Sequence, residues 1–234
     1  NKFDFPVHTK RIPIMGLGCL AGAAGINRVA DYLQAFPQEA ALLVCVELCS
    51  LTFQMDDISP ANFVSTGLFS DGASCVLMVG DRHPLASKAR FQWKAGRSAF
   101  FRDTERVMGW DVVDTGLKIV LGKEVPEISM RLVPEHFNAF LAEQGVAKED
   151  IEFFVAHPGG PKVLQALEES MQLGPEAMKA SWDALAKYGN MSSASILFIF
   201  KELFKNPPRP GALGATMAMG PGFCAEYGMI QCLR

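Results

Sequence analysis

The stretch "GLGCLAGAAG", residues 16–25, decides how the chain is read. Seven of its ten residues are Gly or Ala, and Cys19 sits in the middle. From Cys19 to about Gln34 the apolar positions Ile26, Val29, Ala30 and Leu33 recur at helical spacing. A helix with so little side-chain bulk can be approached closely, so it is expected to lie sandwiched between sheets. Cys19 at its start has two readings. It is a small buried hydrophobe, the commonest role of a free cysteine, or a thiol that the helix N-terminus presses toward thiolate.

The pattern continues on both sides. "RIPIMGL" (11–17) predicts a short buried strand, and "ALLVCVEL" (41–48) a strand buried on both faces. After a polar loop over 52–62, "CVLMVG" (75–80) predicts a second strand, and 83–106 a polar connection leading to a β segment. The later part predicts a helix over 126–144 opening at Pro126 and a strand over 151–156 ending at His157. "GGPKVLQALEESMQL" then feeds a helix, 189–205 forms another, and strands follow over 211–219 and 224–233. The two halves share a grammar. Gly18-Cys19 opens a small-residue helix, with a buried strand 22 residues after Cys19; Gly189-Asn190 opens another, with a strand 22 residues after Asn190. A repeat at this scale points to a pseudo-twofold α/β fold in which both helix starts converge.

Composition narrows the function classes. The 234 residues are 49% hydrophobic and 20% charged, with a net charge of −3, which describes a soluble globular protein. No basic tract suggests nucleic-acid binding, and the longest apolar runs are too short to span a bilayer. The six cysteines (Cys19, Cys45, Cys49, Cys75, Cys224, Cys232) include no CxxC pair and lie in apolar runs, so neither a disulfide framework nor a zinc site is expected. A reducing cytoplasm fits that usage.

Beside Cys19, two residues can carry chemistry. His157 follows a strand, where α/β sheets gather ligands, although a core histidine bonded to backbone reads the same way. Asn190 in "KYGNMSSAS" suits ordinary N-capping; beside a Cys and a His its amide could instead donate to an oxyanion. Glu47 is a charge in an apolar run, so it must be paired or line a cavity. His8, His83 and His136 read as surface residues.

"GCLAGAAG", "AHPGGPKVL", "YGNMSSAS" and "MGPGFCAEY", in this order, resemble the chalcone synthase family of type III polyketide synthases over essentially the whole chain. The resemblance implies a thiolase-like αβαβα layered fold with pseudo-twofold halves, residues 1–82 carrying the nucleophile and 83–234 the histidine and asparagine. It implies a homodimer and a catalytic set of Cys19, His157 and Asn190, with a thiolate–imidazolium pair that takes an acyl-CoA starter and condenses it with malonyl-CoA. No metal or redox cofactor is implied. By the same resemblance, Phe69 is a gatekeeper. Thr52, Cys49, Ile119, Ser192 and Glu47 line the cavity, and Gly159, Gly160 and Lys162 lie along the pantetheine arm.

Departures from the plant pattern refine the expectation. Cys49 and Ile119 stand where threonine and a second gatekeeper phenylalanine are usual, which suggests room for an acyl tail and an alkylpyrone or alkylresorcinol product. Only 18 residues precede Cys19, so the first half is expected to be incomplete and these residues alone to aggregate or be inactive. Three alternatives remain: a tetrahydroxynaphthalene synthase-like use of malonyl-CoA only, a ketoacyl synthase III-like single condensation, and a non-catalytic homologue. "HPGGP" counts against the second.

Overall fold

The small residues of 16–25 serve close approach. In the computed structural model, which describes residue 2 and residues 4–174 and 176–234, a single 3-10 turn, Gly18–Leu20, leads into helix α1, Ala21–Ala35. A Cβ at Gly22 would stand 2.2 Å from the carbonyl oxygen of Ser193, and one at Gly25 2.6 Å from Leu43 Cδ1. The helix therefore touches one neighbour's backbone and another's side chain at positions that bulkier residues would hold apart.

Those neighbours define the layers. On one side, β1 (Ala40–Glu47) and β2 (Gly72–Val79) form a two-stranded antiparallel sheet, with Leu43 opposite Val76 and Cys45 opposite Ser74 on the face toward α1. On the other side lies a four-stranded sheet in the order β3 (Phe91–Phe100), β8 (Cys224–Cys232), β7 (Leu213–Gly220), β6 (Ile151–Ala156). Its β6–β7 pair is parallel and the others antiparallel. Helix α6 (Ser195–Lys205) shares the central layer with α1, and α3 (Val125–Glu143) and α4 (Pro161–Met171) cover the far face.

Alternation along the strands builds two cores. Phe153, Val155 and Ile230 point toward the central helices, while Phe154, Met217 and Tyr227 point toward α3 and α4. Phe137, Phe154 and Tyr227 are essentially fully buried and in ring contact; each such side chain contributes about 1.5–3 kcal/mol by burial.

Several expectations need correction. Residues 11–17 form no strand: they are irregular and mostly exposed, because no strand among the described residues offers them a ladder. Nor is β1 buried on both faces. Leu42, Val44 and Val46 on its outer face, with Leu77 beside them, are each about half exposed. The continuous apolar run thus combines one face in the core with one open face. The loop expected over 52–62 ends in a helix, α2 (Pro60–Leu68), whose Ser59 side chain caps the Asn62 N–H and whose first position is Pro60. The hairpin β4 (Met108–Val113)/β5 (Gly116–Leu121) and helix α5 (Lys179–Tyr188) also lie where no element was expected. Cys49 lies beyond β1, in a 3-10 turn, Cys49–Thr52.

Candidate active site

Three chain segments meet at the start of α1. Cys19 occupies the 3-10 turn, and Asn190 follows α5, with its Nδ2 at 3.9 Å from the Cys19 sulfur and 3.4 Å from the carbonyl oxygen of Gly159. His157 directly follows β6, two residues before that glycine, and its Cδ2 lies 3.8 Å from where a Gly159 Cβ would be. All three residues line one cleft of about 3040 Å³.

The orientation of the Asn190 amide has a local cause. Its Oδ1 accepts the backbone N–H of Ser192 at 2.9 Å, an Asx-type turn. The amide nitrogen then donates to the Gly159 carbonyl oxygen, and both amide heteroatoms stand near the Cys19 sulfur, Nδ2 at 3.9 Å and Oδ1 at 4.0 Å. Ser192 adopts φ +48°, a left-handed conformation that disfavours any residue with a Cβ. Strained backbone of this kind is found at functional sites, where the surrounding structure holds it in place. The backbone of Asn190 is anchored too: its N–H donates to the Leu68 carbonyl at 3.0 Å, and its own carbonyl accepts Ser70 N–H at 2.9 Å. Phe69, between those residues, is thereby fixed beside Asn190.

Electrostatics run against the expected thiolate. Burial pushes the Cys19 thiol up to about 11, outweighing the hydrogen bonds from Ser192 and Asn190 that lower it. Burial also holds the His157 imidazole down at about 4. Neither ring nitrogen of His157 has a hydrogen-bond partner among the described residues, although the side chain is only 3% exposed. The open cleft thus holds a neutral thiol and a neutral imidazole. Hydrogen bonds lower the Cys19 thiol, but desolvation is the larger effect and Glu47 adds to it.

Residues 92–233 match the family of chalcone and stilbene synthases, C-terminal domain. The chain belongs to this family. It is 40% identical over 223 residues to a 1,3,6,8-tetrahydroxynaphthalene synthase of Streptomyces peucetius subsp. caesius, covering 95% of this chain and 59% of that one. It is 34% identical over 229 residues to a phloroglucinol synthase of Pseudomonas fluorescens, covering 97% and 64%. The crystal structure of the tetrahydroxynaphthalene synthase of Streptomyces coelicolor A3(2), a bacterial type III polyketide synthase, superposes with a TM-score of 0.91 at 31% identity, over all of this chain and 66% of that one. The chain therefore spans about three fifths of the length of the relatives it matches, and it shares their thiolase-like α/β layering.

Every site residue expected from the sequence of this chalcone synthase-family chain lies on the cleft. Glu47, at the end of β1, is both lining and paired: Ser193 donates to its Oε1 from the hydroxyl and, at 3.3 Å, from the backbone N–H. Cys49 and Thr52 occupy the 3-10 turn after β1, Ile119 lies on β5, and Gly159, Gly160 and Lys162 run from the His157 loop into α4. Gly160, at φ +153°, would crowd Leu68 only lightly with a Cβ, at 3.4 Å. Many lining residues were not singled out from the sequence, Ser193 and Trp110 among them. Ser193 was passed over in favour of its neighbour, and Trp110 lies on the unrecognised strand β4, its Nε1 4.0 Å from a Gly18 Cβ position. The alternation in "MGWDVV" is a weak strand signal, since the adjacent Val112 and Val113 break it and both are exposed. Among the described residues no group of three or more His, Cys, Asp or Glu is placed to hold a metal ion, all six cysteines are free, and no helix is long and apolar enough to cross a membrane.

Proposed function

We propose that the full-length protein is a type III polyketide synthase acting through Cys19, His157 and Asn190. The observation that carries this reading is the convergence of the anchored Asn190 amide on the Cys19 sulfur, in a cleft also lined by the buried, unpartnered His157. Because thiol and imidazole are both neutral, attack on a starter thioester is concerted with transfer of the thiol proton to His157, which has a free nitrogen to accept it. Coenzyme A leaves as its thiol, and the acyl group stays on Cys19. Malonyl-CoA then loses carbon dioxide, and the electron pair of the broken bond becomes an enolate. The Asn190 N–H and the N–H of neutral His157, whose borrowed proton has left on the coenzyme A thiol, stabilise its oxygen. The enolate carbon attacks the acyl-cysteine, forming the new carbon–carbon bond and releasing the Cys19 sulfur for another round.

The starter we favour is a fatty acyl-CoA, giving a pyrone or resorcinol after cyclisation, because Ile119 and Cys49 leave space along the apolar cleft. The tetrahydroxynaphthalene synthase relatives support the second reading, malonyl-CoA as sole substrate. Division into 1–82 and 83–234, a homodimeric state and a cytoplasmic location belong to the same proposal. The test is to incubate the full-length protein with acyl-CoAs of several lengths, with and without malonyl-CoA, and to analyse peptides and products by mass spectrometry. The expected result is an acyl adduct on the tryptic peptide 12–28, whose sole cysteine is Cys19, abolished in Cys19→Ala. Multiply extended products are expected only with malonyl-CoA. A single extension points to a ketoacyl synthase, products from malonyl-CoA alone to the second reading, and no adduct or product with any substrate overturns the proposal.

A further inference from the structure

A buried polar cluster lies away from the cleft, and the chemistry proposed above makes no use of it. Glu226 on β8 is 5% exposed, and no lysine, arginine or histidine pairs with it among the described residues. Its Oε2 accepts Asn27 Nδ2 at 2.7 Å, and its Oε1 accepts the hydroxyl of Ser98, the residue directly opposite on β3. The other Asn27 N–H donates to the Tyr227 carbonyl at 2.9 Å, and Asn27 Oδ1 accepts Trp93 Nε1 at 3.0 Å. Asn27 is 1% exposed and lies on α1, eight residues after Cys19. A carboxyl group buried among neutral donors without a counter-charge is costly to keep, so its retention asks for a role.

The sheet is cut to admit it. Gly96 and Gly228 face each other across β3 and β8 and together form a slot. A Cβ at Gly96 would stand 2.6 Å from the Asn27 Cγ and Oδ1, and one at Gly228 3.2 Å from Oδ1. Asn27 enters this window and bonds partners on both strands. Neither Asn27 nor Glu226 lines the cleft, so neither touches a substrate there. What they fix is α1 itself. Its other end meets the β7–β8 turn, where Gly18 abuts Pro221 and Gly220 abuts the Leu17 carbonyl. An α-helix rises 1.5 Å per residue, so the cluster anchors the helix about 12 Å from Cys19.

We propose that Asn27, held by Glu226 through the Gly96–Gly228 window, is a positioning residue that sets the axial placement of Cys19 against His157 and Asn190. The proposal rests on Cys19 as the acyl-carrying nucleophile. Displacing a reacting group by about 1 Å from a distance costs on the order of a hundredfold in rate. A cluster serving stability alone would lower the unfolding temperature and leave the rate of the folded enzyme intact.

The experiment measures single-turnover acylation of Cys19 by an acyl-CoA in the full-length protein, at a temperature where circular dichroism shows each variant folded. Asn27→Asp sets a second carboxyl group against Glu226, and Gly96→Ala pushes the Asn27 amide out of its slot from the opposite side. Both are expected to slow acylation by between about tenfold and a hundredfold, with the concentration of acyl-CoA at half-saturation changed less than about twofold. Asn27→Asp with Glu226→Gln restores a donor–acceptor pair and is expected to recover much of the rate. Wild-type acylation rates in the folded variants, with only their unfolding temperatures lowered, overturn the proposal, as does failure of the double variant to recover. Two variants from different elements keep the test alive should one fail to fold. Cys19→Ala separates the premises: acylation persisting there removes the nucleophile reading, whereas its loss alongside normal rates in the Asn27 and Gly96 variants removes only the positioning role.

Discussion

Gly22→Ala and Gly67→Ala are the same substitution in two helices, and the structure gives them opposite signs. In isolation each exchange favours the helix by about 1 kcal/mol, because alanine leaves less chain entropy to be lost. Gly67 is exposed near the end of α2 and has nothing within 4 Å of its Cβ position, so that gain stands. At Gly22 the new methyl meets the Ser193 carbonyl oxygen at 2.2 Å and Ile196 Cγ2 at 2.7 Å. Ile196 can rotate away, but a backbone oxygen cannot, so α1 and the 3-10 turn before α6 must separate by roughly 1.2 Å, an overpacking that typically costs 1–3 kcal/mol or more. The net expectation is a loss of about 1–2 kcal/mol at Gly22 and a gain of about 0.5–1 kcal/mol at Gly67. Urea unfolding of the full-length protein reads both as shifts in midpoint at constant slope. Gly22→Ala should also slow Cys19 acylation, since the separating surfaces carry Cys19 and Asn190. Equal shifts of the same sign in the two variants would refute the claim that close approach, and not helix propensity, is why Gly22 is glycine.

Other expectations follow from the same contacts. His157 has its folded-state value held near 4 against 6.5 when unfolded, so the unfolded chain binds the extra proton between those limits. Stability is thus lost as pH falls from 6.5 toward 4, by up to about 3 kcal/mol, and His157→Gln should flatten the dependence of the urea midpoint on pH in that window. Cys19 gives the opposite limb. Its thiol stays protonated to about 11 in the fold but ionises near 9 when unfolded, so stability falls as pH rises through that range, and Cys19→Ser should reduce the slope while Cys49 and Cys224, also pushed up by burial, retain the rest. Asn190→Ala is expected to lose malonyl-CoA decarboxylation, assayed as released carbon dioxide, while Cys19→Ala retains it. Ser193→Ala deprives the Glu47 carboxyl group of its hydroxyl donor; a destabilisation of about 1–2 kcal/mol in urea unfolding is expected, and none would show that Glu47 is solvated in the cleft.

How much of this was readable in advance depended on whether a residue's partners were near in sequence. The helix from Cys19 and the strands at 41–48, 151–156 and 224–233 were legible because their hydrophobic period is intrinsic to the segment. The hairpin over 108–121 was not, because Trp110, Val112 and Leu117 are exposed apolar residues that blur the alternation. Residues 11–17 show the reverse failure. "IPIMGL" has strand composition, but a strand exists only with a ladder partner, and composition cannot supply one. At the site, Cys19, His157 and Asn190 could be singled out by residue type and motif. The resting charge state could not, since it depends on how deeply two side chains from distant segments are buried together.

The apparent repeat between the halves takes a sharper form in three dimensions. The sequence paired Cys19 with Asn190 by equal spacing to the following strand. In the structure the two 3-10 turns begin at Gly18 and Ser192, and both residues have φ +48°. On that register Cys19 corresponds to Ser193, and Asn190 lies two residues before its turn. The offset has a chemical consequence. A side chain inside the turn, such as Cys19, points into the cleft, whereas one placed two residues earlier can reach back to cap the turn's first N–H, as the Asn190 oxygen does with Ser192. One local geometry thus sets a sulfur from the first half against an anchored amide from the second. Because the Asn190 backbone also bonds Leu68 and Ser70, that amide is tied to the segment bearing Phe69. A displacement of the 68–70 backbone would therefore carry Asn190 with it, so the placement of Phe69 on the cleft and that of the Asn190 amide are coupled through two hydrogen bonds.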